Sequence, residues 1–572
     1  MTPKTLRPFV LALLASALAF SGCGSKPEPA DLVLTNGKIV TMDEAKPEVQ
    51  ALAARGDKIV ALGTAKEIAA YIGPATQVVD LGGRLATPGL IDSHLHFTGI
   101  GQARLSLDLT KARSWDDIVT MVAAAAQTAK PGEPITGRGW HQEKWDRRPE
   151  PNIDGLPLHD ALSKVSPDNP VILTHASGHS CLANAKAMAM AKVTAATPNP
   201  AGGEIIKDAK GRPIGAFLET AQGLVRRALT QWAASRAPEE KLAEQRKIIE
   251  LADRECLAKG LTSVTDAGAG WSQIELYKSA IDQGKLGVRL NVMLSEGNKR
   301  LAEHAAEWKI IGYGADHLTV RSIKRLIDGA LGAHGAWLLE PYTDLPASTG
   351  LNTEPLDALR ETARIAIENG YQLGVHAIGD RANREILNIY EAAFKANPDK
   401  KDVRFRIEHA QHLALSDIPR FGALGVVAAM QAIHCTSDGP WIAKRLGDVR
   451  AAEGAYVWRK LMASGAVVSN GTDAPVEDCD PIPGFHASVT RKMKNGEAFY
   501  PEQKMTRQEA LRSYTLNGAY AAFEEGKKGS LAAGKLADVT VFSKDIMTCP
   551  EDEIPKAEVL WTIVGGKILY KK

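Results

Sequence analysis

Apolar and polar positions along this 572-residue chain change their rhythm three times. Through the middle, short uninterrupted apolar runs alternate with longer stretches of helical spacing. Such runs read as strands buried on both faces of a parallel sheet, and the helical stretches as the crossovers between them. The pattern predicts eight strands, at 89–96, 261–267, 288–294, 320–327, 371–377, 404–410, 425–431 and 466–473. Helical segments such as Glu239 to Lys259 and Leu356 to Asn369 fill the gaps. Eight βα units predict an α/β fold built on a TIM-like (β/α)8 barrel, with its chemistry at the C-terminal strand ends.

Both ends of the chain follow a β rhythm instead. Short strand-like runs occupy 31–41, 58–62 and 77–80, and again 537–542, 559–564 and 567–570. A β pattern split between two termini predicts one composite β-sandwich domain, residues 31–86 with 526–572, around a barrel of residues 87–99 and 236–525. The stretch 100–235 is too long for a βα connection and carries strand-like runs at 134–138 and 171–175. It reads as an inserted α+β subdomain arching over the barrel mouth.

The first 30 residues belong to neither rhythm. Lys4 and Arg7 precede an apolar run from Phe9 to Phe20, too short for the ~20 residues that span a bilayer. Residues 1–22 read as a signal peptide. Cys23 after Ser21-Gly22 resembles a bacterial lipobox, which implies cleavage before Cys23, its lipidation, and a tether over 23–30. The expected product is an exported lipoprotein on the periplasmic or cell-surface side, touching membrane only through that anchor. A cleaved signal peptide with Cys23 incidental is the alternative.

Charge is balanced, 69 basic against 67 acidic residues, so nothing electrostatic favours nucleic acid. Of six cysteines none forms a C-x-x-C pair, which leaves out a zinc knuckle or thioredoxin-like motif. Oligomeric state is left open, a homo-oligomer included.

Candidate chemistry sits at the strand ends. His94 and His96 close the first strand, and alternation points both the same way, about 7 Å apart. Two such imidazoles supply half of a divalent-metal ligand set. Lys324, His376, His409 and Asp473 end the fourth, fifth, sixth and eighth predicted strands. Five strands bringing metal-competent residues to one rim point to a metal site.

These features, with Gly139-Trp140 and Trp145, Gly178-His179-Ser180, Ile323-Lys324 followed by Asp328-Gly329-Ala330-Leu331, Gly471-Thr472-Asp473-Ala474-Pro475 and Gly529 to Asp538, resemble the amidohydrolase superfamily. The similarity is to amidohydrolase family 3, the N-substituted formamide deformylase-like group, and covers essentially the whole mature chain. The resemblance implies that His94, His96 and Asp473 hold one divalent ion, expected to be zinc, and that His376 and His409 hold a second. Lys324 would bridge them as a carboxylated lysine; unmodified, it would leave one ion. Asp473 is the implied general base, His179 a further catalytic or substrate-facing residue, and Trp140 and Trp337 candidate walls of the substrate pocket. The implied reaction is hydrolysis of a non-peptide C–N bond in a small amide or formamide-like molecule. A mononuclear deaminase or cyclic-amide hydrolase, and an exported metal-containing binding lipoprotein, are the competing readings. The chain departs from the group at His141, at His175 and Ser177, and at Ala333-His334, differences that bear on the carbonyl-side and leaving-group contacts and leave the metal site alone.

Overall fold

The computed structural model describes residues 27–572. The expected signal peptide, residues 1–22, and Cys23 lie outside the described residues. Eight parallel strands form the central sheet: Leu90–Leu95, Leu261–Ala269, Arg289–Leu294, Leu318–Leu326, Gln372–Ala377, Arg406–His409, Val427–Met430 and Val468–Asn470. They pair in sequence order, each parallel to the next, and make a nearly closed barrel. Six of the eight are buried at every position, because the barrel interior packs one face and the helices cover the other. The helices Pro238–Ala258 and Leu356–Asn369 stand where the periodicity put them.

Among the described residues, no ladder joins the first strand to the eighth. The seam is closed by other means. At the C-terminal rim Asp473 N–H donates to the His94 carbonyl and His96 N–H to the Ala474 carbonyl, each at 2.7 Å. Just below, the Asp92 carboxylate accepts the Thr472 hydroxyl at 2.6 Å, the Thr472 N–H at 3.0 Å and the His94 N–H at 2.9 Å. At the opposite end the helix Leu516–Ala521 fills the gap, and Asn517 donates to the Val468 carbonyl at 2.8 Å. Gly518 permits that approach: a Cβ there would stand 2.8 Å from the Ile91 side chain.

Residues from both chain ends build two further sheets. One has four strands, drawn from Leu32–Thr35, Ala51–Arg55, Lys58–Gly63 and Gln77–Asp80. The other has six, and joins Lys38–Val40 and Leu85–Pro88 to Val539–Phe542, Val559–Val564 and Lys567–Lys571. Leu34, Leu52, Val541 and Ile563 share one buried cluster. The segment between the first two barrel strands carries its own six-stranded sheet, including Ile135–Trp140, Val171–His175 and Pro213–Glu219. Its loops reach over the barrel mouth, where Arg138 donates to the Pro475 carbonyl at 3.1 Å. No helix among the described residues is long and apolar enough to cross a membrane.

Candidate metal centre

Five barrel strands bring His94, His96, Lys324, His376, His409 and Asp473 together at the C-terminal rim. His94 Nε2 lies 3.5 Å and His96 Nε2 3.3 Å from Asp473 Oδ1. The Lys324 amine stands 3.5 Å from His94 Nε2. The His409 ring is 4.8 Å from that of His94 and 4.5 Å from that of His376. Donor atoms of His94, His96 and Asp473 all lie within 4.8 Å of one another. A second trio, His409, His434 and Asp473, meets the same limit, whereas His376 belongs to neither. His376 Nε2 is 3.5 Å from Asp328 Oδ1.

The donor set fits a cation. Asp473 Oδ1 and His376 Nε2 are buried and make no hydrogen bond, a costly state without a ligand. Burial pushes His94 down to about 4 and holds His376 and His409 well below the usual imidazole range, so their lone pairs are free. Burial works to raise Asp473, but His96, His409 and His94 beside it keep it well below the usual carboxylate range. Burial likewise pushes Lys324 down to about 8, against the pull of Glu408 and Asp473. His409 (φ 76°) and Asp473 (φ 57°) both sit in the left-handed region, strain of the kind that collects at functional positions.

Around the donors stands a layer of groups that fixes their direction. Glu408 bonds His94 Nδ1; a carboxylate can only accept, so the proton sits on Nδ1 and Nε2 is left for a ligand. Arg406 holds Glu408 by two contacts, at 2.7 and 2.8 Å. Gln431 bonds His409 Nδ1 at 2.7 Å. The ring of His179, from the inserted segment, lies tilted 5.0 Å from that of His376 and meets Glu219 at 2.8 Å through Nδ1. Burial opposes its charge, yet Glu219 outweighs that and raises His179 above its usual value.

Some expected contacts do not form. Trp140 is 1 % exposed, gives its indole N–H to the Leu173 carbonyl and packs on Trp145 inside the inserted segment. It is a core residue there, because a fully buried indole at a sheet centre has no face left for a substrate. Trp337 lies under Arg381 and lines neither cavity at the metal donors. His334 pairs with Asp344, away from the site. Conversely, sequence reasoning passed over Glu408, Glu219 and His434. Glu408 was findable, since alternation in Arg406-Ile407-Glu408 turns two opposite charges to the same buried face. His434 stands one helical turn beyond its strand, and nothing local marks it.

Two cavities open from the donors. The larger, outer one is bordered by His96, Lys324, Glu219 and Glu354. The smaller, inner one runs under the inserted segment, between His141, His175 and Trp441. His179, His376, His409 and Asp473 border both.

The model of the amidohydrolase family matches residues 77–570. The chain is 34% identical over 568 residues to the protein LONG AFTER FAR-RED 3 of Arabidopsis thaliana, covering 95% of this chain and 92% of that one. It is 26% identical over 548 residues to N-substituted formamide deformylase of Arthrobacter pascens, covering 95% and 98%. An uncharacterized metal-dependent hydrolase of Pyrococcus horikoshii has a similar structure, with a TM-score of 0.72 at 24% identity over 91% of this chain and 99% of its own.

Proposed function

Because the chain belongs to the amidohydrolase family, we propose that it is a metal-dependent hydrolase of non-peptide C–N bonds in small amides or formamides. The observation that carries this reading is the convergence of the buried, neutral imidazoles of His94, His376 and His409, with His96 and one carboxylate, on a rim left open to two cavities. A structural site would be closed by its ligands; this one leaves room for water and substrate. His94, His96 and Asp473 would hold one ion, His376 and His409 a second, with Lys324 between them as a carbamate. Zinc suits this nitrogen and oxygen donor set. A deaminase-like site with a single ion is the second reading, favoured by His376 standing outside both donor trios.

A divalent ion bound there lowers the pKa of water and polarises a carbonyl oxygen. Asp473, whose Oδ1 faces the donors, takes the proton of the attacking water and returns it to the departing nitrogen. His179 presents Nε2 beside His376, with Glu219 fixing its ring, and there it stabilises charge building on the carbonyl oxygen. Arg138 ties the inserted segment to the loop after the eighth strand.

We read the two end-derived sheets as one composite β-sandwich domain, supported by their shared core. The amino-terminal sequence supports export and anchoring through Cys23.

Metal content per chain, by elemental mass spectrometry, tests the centre in the parent and in Lys324→Ala. Close to two ions in the parent, falling in the variant together with amide hydrolysis, is the expected result. Close to one in both would retire the bridging lysine, and no retained ion in a folded, metal-supplied preparation would overturn the reading.

A further inference from the structure

The inner cavity contains hydrogen-bonding groups that the hydrolytic chemistry does not use. His175, His141 and Trp441 border it, exposed by only 1 %, 7 % and 8 %. Their rings touch in a row, with centroids 4.5 Å apart between His175 and His141 and 6.1 Å between His141 and Trp441.

The tautomers follow from the backbone. His175 Nδ1 accepts the Ser177 N–H at 3.1 Å, and His141 Nδ1 accepts the Glu143 N–H at 3.2 Å. A neutral imidazole whose Nδ1 accepts carries its proton on Nε2. His175 and His141 therefore each offer one N–H, at Nε2, and Trp441 can only donate. Neither His175 Nε2 nor Trp441 Nε1 has a partner, although both are buried. Burial pushes His141 down to about 3 and His175 well below its usual value, which leaves uncharged donors.

Unpaired buried donors mark a place for an acceptor. Ordinary anions fit poorly, because Asp438 and Glu477 border the same cavity. The three N–H groups give a cation nothing, since they cannot accept, and the carboxylates already have partners: Lys144 stands 3.8 Å from Glu477, and the Tyr456 hydroxyl donates to Asp438 at 2.8 Å. Leu331 and Ile378 supply apolar wall. We propose that the inner cavity is a specificity pocket, in which the N–H groups of His175, His141 and Trp441 select a substrate whose nitrogen substituent is apolar and ends in an uncharged acceptor such as a carbonyl oxygen. This rests on the C–N hydrolase reading and adds the substrate class to it. In a formamide the acyl side is a single hydrogen, so the nitrogen substituent is the part able to fill the cavity.

Three N-benzylformamides test it, bearing a 4-acetyl, a 4-isopropyl or a 4-carboxylate group. The methylene insulates the reacting nitrogen from the ring, so their intrinsic reactivities stay close. The expected kcat/KM for the acetyl compound is roughly ten- to a hundredfold above that of the other two, the range for leaving a buried donor unpaired. His175→Phe and, separately, Trp441→Phe should each shrink that ratio. The hydrolysis-resistant methanesulfonamide counterparts, titrated calorimetrically into the metal-loaded protein, should bind in the same order. Formamides hydrolysed with equal kcat/KM, or a preference that survives in both variants, would overturn the pocket. A sulfonamide preference without hydrolysis of any formamide would uphold the pocket and overturn the formamide reading instead.

Discussion

Replacing Glu408 by glutamine separates two tasks that one carboxylate performs. Glu408 bonds His94 Nδ1 on one side and takes two contacts from Arg406, at 2.7 and 2.8 Å, on the other. All three side chains are fully buried. Burial alone would raise Glu408, but Arg406 and His94 hold it far below the usual carboxylate range, so it is ionised throughout the working range of pH. Glutamine keeps the shape and one acceptor but loses the charge. For the metal, a substituted outer partner typically costs 10–100-fold in affinity, about 1.4–2.7 kcal/mol. For the fold, Arg406 is left as a buried charge without its counter-ion, worth about 3–5 kcal/mol where one partner of a buried pair is removed. Arg406 keeps its bond to the Ser93 carbonyl at 2.7 Å, which places the cost at the lower end of that range. The assays are chelator competition for metal affinity and urea denaturation of the metal-free chain. Both quantities should fall. A lower urea midpoint with metal affinity within twofold of the parent would refute the orienting role, and two unchanged values would refute the whole argument.

Other perturbations probe different contacts. A Cβ on Gly329 would lie 2.0 Å from Glu219 Oε1, so Gly329→Ala should displace Glu219, free His179 and lower kcat/KM by about 100-fold, as misplaced catalytic groups do; steady-state kinetics within threefold of the parent would contradict this. Asp92→Ala strands the Thr472 hydroxyl and two backbone N–H groups, an expected loss of about 3 kcal/mol or more in urea denaturation. Glu509 caps the helix Arg507–Ser513 with Thr506 and pairs with Arg459, and those hydrogen bonds, Arg459 first, hold it down at about 2. Because its folded value is depressed, its contribution is present above the ordinary carboxylate pKa and is lost as pH falls towards 2. Glu509→Gln should therefore cost about 1 kcal/mol near neutral pH, with the gap between the two urea midpoints narrowing only below pH 4; a gap that widens on acidification would reverse the sign and sink the assignment.

The barrel was legible because parallel strands buried on both faces must be apolar throughout, as in Leu373 to Val375 or Val427 to Met430. The donors were legible because each stands at or near the C-terminal end of a predicted strand. Contacts made across the chain left no local trace. Trp140 resembled a pocket wall in sequence, yet its fate was decided by Leu173 and Trp145 packing around it. His434 reached the donors by way of a helix turn whose direction only the assembled barrel fixes. The inserted sheet contains strands as short as Leu107–Asp108, too brief for any periodicity to show.

The seam of the barrel has a consequence for the order in which the molecule comes into being. Asp92 and Thr472, which meet across it, are 380 residues apart in the chain. His94 and His96 lie on one lip and Asp473 on the other, so an ion held by all three is a rivet across the joint. A chain emerging from its N-terminus presents His94 and His96 early and must wait for nearly all of the remaining sequence before Asp473 exists. Long-range closure of this kind is intrinsically slow. Metal loading at the proposed His94, His96 and Asp473 site would thereby be coupled to completion: a chain lacking its last strand would lack the Asp473 carboxylate, and firm retention of an ion there would report that the last strand has reached the first.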